Sequence, residues 1–101
     1  MSKRINIHPG EILLEEFLKP MGLSQNKLAI EIRVPAHRIN EIIHGKRGIT
    51  ADTALRLGKF FDVTPEFWMG LQDEFELREG RYSLEKELEA IHPCELIPAT
   101  A

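Results

Sequence analysis

A chain of 101 residues with 43% hydrophobic content is long enough for one self-sufficient core and too short for two. Cys94 is the single cysteine, which excludes an intrachain disulfide and points to a reducing compartment. No apolar run approaches the roughly 20 residues that span a bilayer, and none follows the first residues as a secretory signal requires, so the sequence predicts a soluble, cytoplasmic protein with no membrane partner.

The net charge of −3 argues against nucleic acid until it is mapped along the chain. Residues 1–60 carry ten Lys and Arg against six Asp and Glu, whereas residues 61–101 carry three against ten. The first part therefore suits a phosphate-lined partner. The acidic second part is either a solvated helix face or a surface for a basic partner.

Pro9 suits the first position of a helix, Glu11 the positive end of its dipole, and Leu13, Leu14, Phe17 and Leu18 supply a helical apolar stripe. Pro20 is expected to stop this helix near Lys19, with Gly22 in the turn. Ser24 caps a second helix whose inner face is Leu28, Ala29 and Ile32. Pro35 opens a third at its first position, with Ile39, Ile42 and Ile43 three to four apart and Gly45 closing it. Thr50 caps a fourth carrying Ala54, Leu55, Leu57, Phe60 and Phe61, and Asp52 lies in its first turn. Thr64-Pro65-Glu66 starts a fifth with Phe67, Trp68, Leu71 and Phe75, expected to end at Gly80. Ser83 is read as the cap of a short last helix through Ile91, ended by His92-Pro93. No stretch alternates with a period of two, so the fold class is all-α.

The chemistry lies between Leu23 and Gly45, two short helices joined by about three residues. Leu28 and Ile32 face inward, Val34 plugs the turn, and Ile39 and Ile42 hold the second helix across it. Ala29 is small where the helices cross. With that face occupied, the start of the second helix projects Ala36, His37, Arg38, Asn40 and Glu41, the part of a helix-turn-helix that enters the major groove. Arg38 suits guanine or phosphate, Asn40 suits adenine, and Ala36 suits a thymine methyl. His37 can donate to a base edge or phosphate. Gln25, opening the preceding helix, is placed to touch the DNA backbone and set register, and Lys46 and Arg47 to neutralise phosphates. Any helical hairpin shares the apolar spacing; Ser24-Gln25 at the helix start and Gly45-Lys46-Arg47-Gly48-Ile49-Thr50 after the motif add what the spacing lacks.

Residues 12 to 62 resemble the five-helix, lambda-repressor-like class of phage repressors and xenobiotic-response-element regulators. The resemblance is carried by Leu23-Ser24-Gln25, Leu28-Ala29, Val34, Ile39, Ile42 and His44-Gly45-Lys46-Arg47. Arg33 departs from that pattern, which often has glycine there, and a left-handed backbone at a non-glycine residue costs about 1 kcal/mol. The flanks His8-Pro9-Gly10-Glu11-Ile12-Leu13, residues 49–57 and Pro65-Glu66-Phe67-Trp68-Met69-Gly70-Leu71-Gln72 are similar to the HigA/VapI antitoxins. This resemblance implies a homodimer that binds a palindromic operator, represses its own operon and neutralises a small basic HigB-like toxin that cleaves mRNA. The organisation expected is an N-terminal arm over residues 1–8, a helix-turn-helix domain over 9–78 and an acidic helical extension over 79–101.

Trp68 is expected to close the core over the first and fourth helices, with Phe75 and Leu77 forming a two-fold dimer contact. His92, Cys94 and Glu95 fall short of the ligand number and spacing of a zinc site, and His8, His37 and His44 lie on other segments. Cys94 sits in a Pro-flanked tail that holds no active-site geometry, and there is no glycine-rich phosphate loop. Neither a metal, a cofactor nor an enzymatic activity is expected. A stand-alone repressor without a toxin, and a protein that mainly masks a partner through the acidic residues 73 to 95 or through the arm, remain as alternatives.

Overall fold

The computed structural model describes residues 5–95, and residues 1–4 of the arm and 96–101 of the acidic extension lie outside the described residues. The described part is helical with no strand. Six helices follow one another: α1 over residues 9–21, α2 (Gln25–Ile32), α3 (Ala36–Ile43), α4 (Ala51–Phe61), α5 (Pro65–Ser83) and α6 (Glu85–Ala90). None is long and apolar enough to cross a membrane.

Helix α1 does not stop before Pro20. It opens as an α-turn over Pro9–Ile12, widens into a π-helical stretch over Leu13–Leu18 and closes over Lys19–Met21. The Lys19 amide donates to the Leu14 carbonyl, five residues back. A proline ring collides with the carbonyl four residues earlier in a regular α-helix, and the wider turn gives that ring room. Gly22, at φ 62°, then ends the helix in left-handed geometry. The start of α1 is pinned by the arm. His8 Nδ1 accepts from the Gly10 amide at 2.9 Å, while the His8 ring stands edge-on to Phe75 with centroids 4.8 Å apart. Asn6 Nδ2 donates to the Phe75 carbonyl at 2.9 Å and to Glu79 Oε2 at 3.0 Å. The expected irregular arm is therefore fastened to α5 from Asn6 onward.

Hydroxyl caps form at three of the four helix starts where the sequence places them. Ser24, Thr50 and Thr64 accept from the amides of Lys27, Thr53 and Phe67, three residues on in each case. Pro35 is the residue before α3 rather than its first member, with an extended backbone at ψ 145°. Helix α5 runs past Gly80 to Ser83, and Ser83 does not cap α6. Its hydroxyl donates back to the Gly80 carbonyl at 3.3 Å, and Leu84 turns the chain from α5 into α6. Glycine weakens a helix without ending one, and Gly80 meets no neighbouring group that would demand a turn there. The chain leaves helical geometry at Ile91, ahead of His92-Pro93.

Trp68 is fully buried at the centre, with Leu13, Leu18, Leu28, Ile39, Ile42, Ala54 and Leu57 around it. Its indole lies 4.9 Å from the Phe17 ring and 6.2 Å from Phe61, which joins α1, α4 and α5. One close crossing sets the position of α3. A Cβ on Gly10 would collide with the Ile42 carbonyl, so only glycine lets the start of α1 lie against the end of α3.

Arg33 ends α2 at φ 65°, ψ 46°, the left-handed conformation that the sequence flagged as costly. Arg33→Gly is expected to stabilise the fold by up to about 1 kcal/mol, read as a higher urea midpoint at unchanged slope. His8 gives a second prediction. Burial lowers its pKa below the ordinary 6.5, and the nearby Glu11 carboxylate offsets part of this. The unfolded chain thus takes up a proton that the native chain resists. Stability is expected to be full above pH 6.5 and to fall as the pH drops below it. In His8→Asn, which keeps an acceptor for the Gly10 amide, thermal melts should lose that component of the pH dependence.

Candidate nucleic-acid interface

Helices α2 and α3 meet through the tight turn over residues 33–35. The Val34 amide donates to the Ala29 carbonyl at 3.0 Å, and Ala29 is almost wholly buried. Ile39 and Ile42 are completely buried, which fixes the rotation of α3 about its axis and turns the other face outward. Ala36, His37 and Asn40 are exposed on that face, while Arg38 and Glu41 are half-buried. The eight residues of α3 thus separate into an inner aliphatic side and an outer polar side.

The polar side chains are held in place by one another. Asn40 Nδ2 donates to Gln25 Oε1 at 3.3 Å, which joins the two amides expected to meet DNA. His44 Nδ1 donates to the Asn40 carbonyl at 2.8 Å. Arg47 reaches back to Glu41 Oε1 at 2.8 Å, closing the loop after α3 onto α3 itself. Lys46 is exposed beside it, and its backbone amide donates to the Glu41 carbonyl at 2.8 Å. Gly45, at φ 73°, makes that reversal.

Three residues outside the expected set organise this surface. Asp52, in the first turn of α4, accepts from Arg38 Nη1 at 2.9 Å and from Arg56 Nε at 2.8 Å through the same oxygen, Oδ1. Hydrogen bonds from Arg56, then from Arg38, hold the Asp52 carboxyl below the usual carboxylate range. Arg56 also donates to the Ile32 carbonyl at 2.9 Å and the Arg33 carbonyl at 3.3 Å, which ties α4 to the end of α2. The third residue is Gln72 on α5, 5% exposed. Its Oε1 accepts from the Ile49 amide at 2.7 Å and its Nε2 donates to Glu76 Oε2 at 2.6 Å, so the loop bearing Lys46 and Arg47 is fastened to α5. The four-residue spacing of Asp52 and Arg56 is a readable helix pair. Nothing in the sequence links Asp52 to Arg38 or Gln72 to Ile49, because those contacts cross between elements.

Elsewhere, Phe75 turns its ring toward His8 and is half-buried, while Leu77 stands 52% exposed on α5. Among the described residues no group of three or more His, Cys, Asp or Glu side chains converges as a metal site would.

A helix-turn-helix family matches residues 14–68, more than half of the chain. Virulence-associated protein I of Dichelobacter nodosus is 54% identical over 72 residues, covering 71% of this chain and 67% of the relative. The antitoxin HigA-1 of Vibrio cholerae is 33% identical over 92 residues, covering 91% of this chain and 87% of the relative. The chain spans about two thirds of the length of several curated relatives it matches. Among solved structures, the Pseudomonas aeruginosa antitoxin HigA with the higBA promoter superposes with a TM-score of 0.85 at 42% identity, covering 88% of this chain and 98% of that one. The chain belongs to the helix-turn-helix family, in the branch that holds virulence-associated protein I and the HigA antitoxins.

Proposed function

We propose that the chain is a sequence-specific DNA-binding antitoxin that represses its own operon and neutralises a small basic, HigB-like mRNA-cleaving toxin. The observation that carries this reading is the likeness, over most of this chain and nearly all of the other, to an antitoxin HigA with the higBA promoter. The exposed polar face of α3 supplies the chemistry that such a complex needs. In this reading Arg38 and Asn40 address base edges, Ala36 meets a thymine methyl, and His37 donates to a base or phosphate. Gln25 sets register on the backbone, Glu41 orients Arg47, and Lys46 and Arg47 neutralise phosphates.

A homodimer brings two α3 helices about 34 Å apart, one turn of DNA, so that each reads half of a palindrome. The exposed Leu77 and the half-buried Phe75 on α5 form its two-fold contact. Function rests on the described polar surfaces rather than on any catalytic arrangement, and the acidic stretch beyond residue 72 suits a basic toxin surface. A repressor with no toxin would use the same DNA-binding residues.

Co-expression with the small open reading frame beside the gene separates the two readings. A stoichiometric basic partner that co-purifies, with growth restored, is the expected result. Palindrome binding with neither partner nor toxicity leaves the stand-alone repressor. The residue assignments make one graded prediction in operator-binding assays across a salt series. Arg38→Ala should weaken operator binding by about 1–3 kcal/mol and relax sequence preference. Lys46→Ala should weaken all duplexes alike and lower the salt slope by about one. Leu77→Lys should sediment as a monomer and lose the palindrome while α3 itself is untouched. Equal operator affinity for Arg38→Ala and wild type at the same salt would remove α3 from the interface.

A further inference from the structure

We propose that Asp52 is a specificity-determining residue, a carboxylate that holds Arg38 away from phosphates and releases it to a base. The inference rests on the DNA-binding reading above. Its starting point is geometric: one exposed carboxylate oxygen takes both Arg38 and Arg56, at 2.9 and 2.8 Å. The two arginines are not equivalent. Arg56 lies on the same helix as Asp52 and is anchored by carbonyls at the end of α2. Arg38 comes from α3, and Asp52 is the partner of its guanidinium among the described residues. Arg38 is therefore the member that can leave, and when it does Asp52 keeps Arg56 and is not orphaned.

The cost of leaving is small because Asp52 is exposed and Arg38 only partly covered, and ion pairs reached by water contribute little. What replaces it differs between correct and incorrect DNA. A guanine edge offers Arg38 two neutral acceptors, O6 and N7, in a geometry that a guanidinium matches. A phosphate draws on the full charge of the guanidinium, which Asp52 already offsets in the Arg38 pair, so the phosphate contact loses more than the base contact does. Binding to arbitrary sequence is driven by phosphate contacts. Asp52 thus penalises the arbitrary mode more than the base-reading mode, and discrimination rises without any contact between Asp52 and a base. In the first turn of α4, Asp52 is also stabilised by the helix dipole, which keeps the carboxylate ionised as the arginine departs.

Asp52 is exposed and its side chain fills no core space, so Asp52→Asn is expected to fold. The probe is a duplex enriched by wild-type protein from random sequence, alongside a scrambled duplex of the same length. Affinities are measured over a salt series for wild type, Asp52→Asn, Arg38→Ala and the double variant. Asp52→Asn is expected to tighten the scrambled duplex on the order of five- to tenfold at low salt, with a slope steeper by about one counterion. The enriched duplex should change by less than about twofold, so the ratio between the two falls. In the Arg38→Ala background the same substitution should have little effect on the scrambled duplex. An unchanged ratio overturns the proposal. So does a gain that persists in full without Arg38, since Asp52 would then act only as a general negative charge. Failure of wild type to enrich any sequence removes the DNA-binding reading itself and the proposal with it, an outcome distinct from a preserved ratio.

Discussion

The crossing of α1 over α3 at Gly10 is the constraint on which the rest of the molecule depends. A recognition surface is useful only if its helix has one rotation and one tilt, and the contact between Gly10 and the Ile42 backbone allows no slack in either. Ile39 and Ile42 occupy the inner side from below, and Trp68 fills the space beneath α1, α4 and α5. The His8 ring, seated between the start of α1 and Phe75, stops α1 from lifting away. Rigid backbone on three sides leaves only side chains to move at the polar face. A site built in this way loses little conformational entropy when it meets a partner.

At that face the two arginines are already paired. Arg38 shares Asp52 with Arg56, Arg47 rests on Glu41, and Asn40 rests on Gln25. Each of these contacts is weak in water, yet together they hold the side chains near single conformations before any ligand arrives. They also reconcile a chain of negative net charge with a phosphate-lined partner. The excess of cations belongs to residues 1–60, the part of the sequence that contains α3, while the acids gather in the second half of α5 and in α6.

The helices, their caps and the inner faces were legible in the sequence because they are set by neighbours three or four residues apart. Ser24, Thr50 and Thr64 announce helix starts by side chain alone, and Leu28, Ile39 and Ile42 announce the core by spacing. The left-handed Arg33 was legible as a departure from an expected glycine. Pro20 misled because its usual clash assumes α-geometry, and the widened Leu13–Leu18 turn removes the clash. Gly80 misled because a glycine's low helix propensity is only about 1 kcal/mol and yields to the neighbouring turns. The Asp52–Arg38 bridge, the arm held by Asn6 and the Gln72 clamp were not legible, since each spans between elements whose relative placement only the packed fold provides.

The Gln72 clamp has a consequence for how this sequence can drift. One amide serves the Ile49 amide on one side and Glu76 on the other, and it packs so near Gly48 that a Cβ there would lie 2.7 Å from its nitrogen. Positions 48 and 72 are therefore coupled, and the exposed Glu76 adds an acceptor to the same amide. A substitution at 72 leaves a backbone amide unsatisfied in the interior and a carboxylate without its donor, and a side chain at 48 displaces the amide that serves both. A larger residue at 48 thus fits only where the side chain at 72 gives way, although the two positions are separated by 24 places in the sequence.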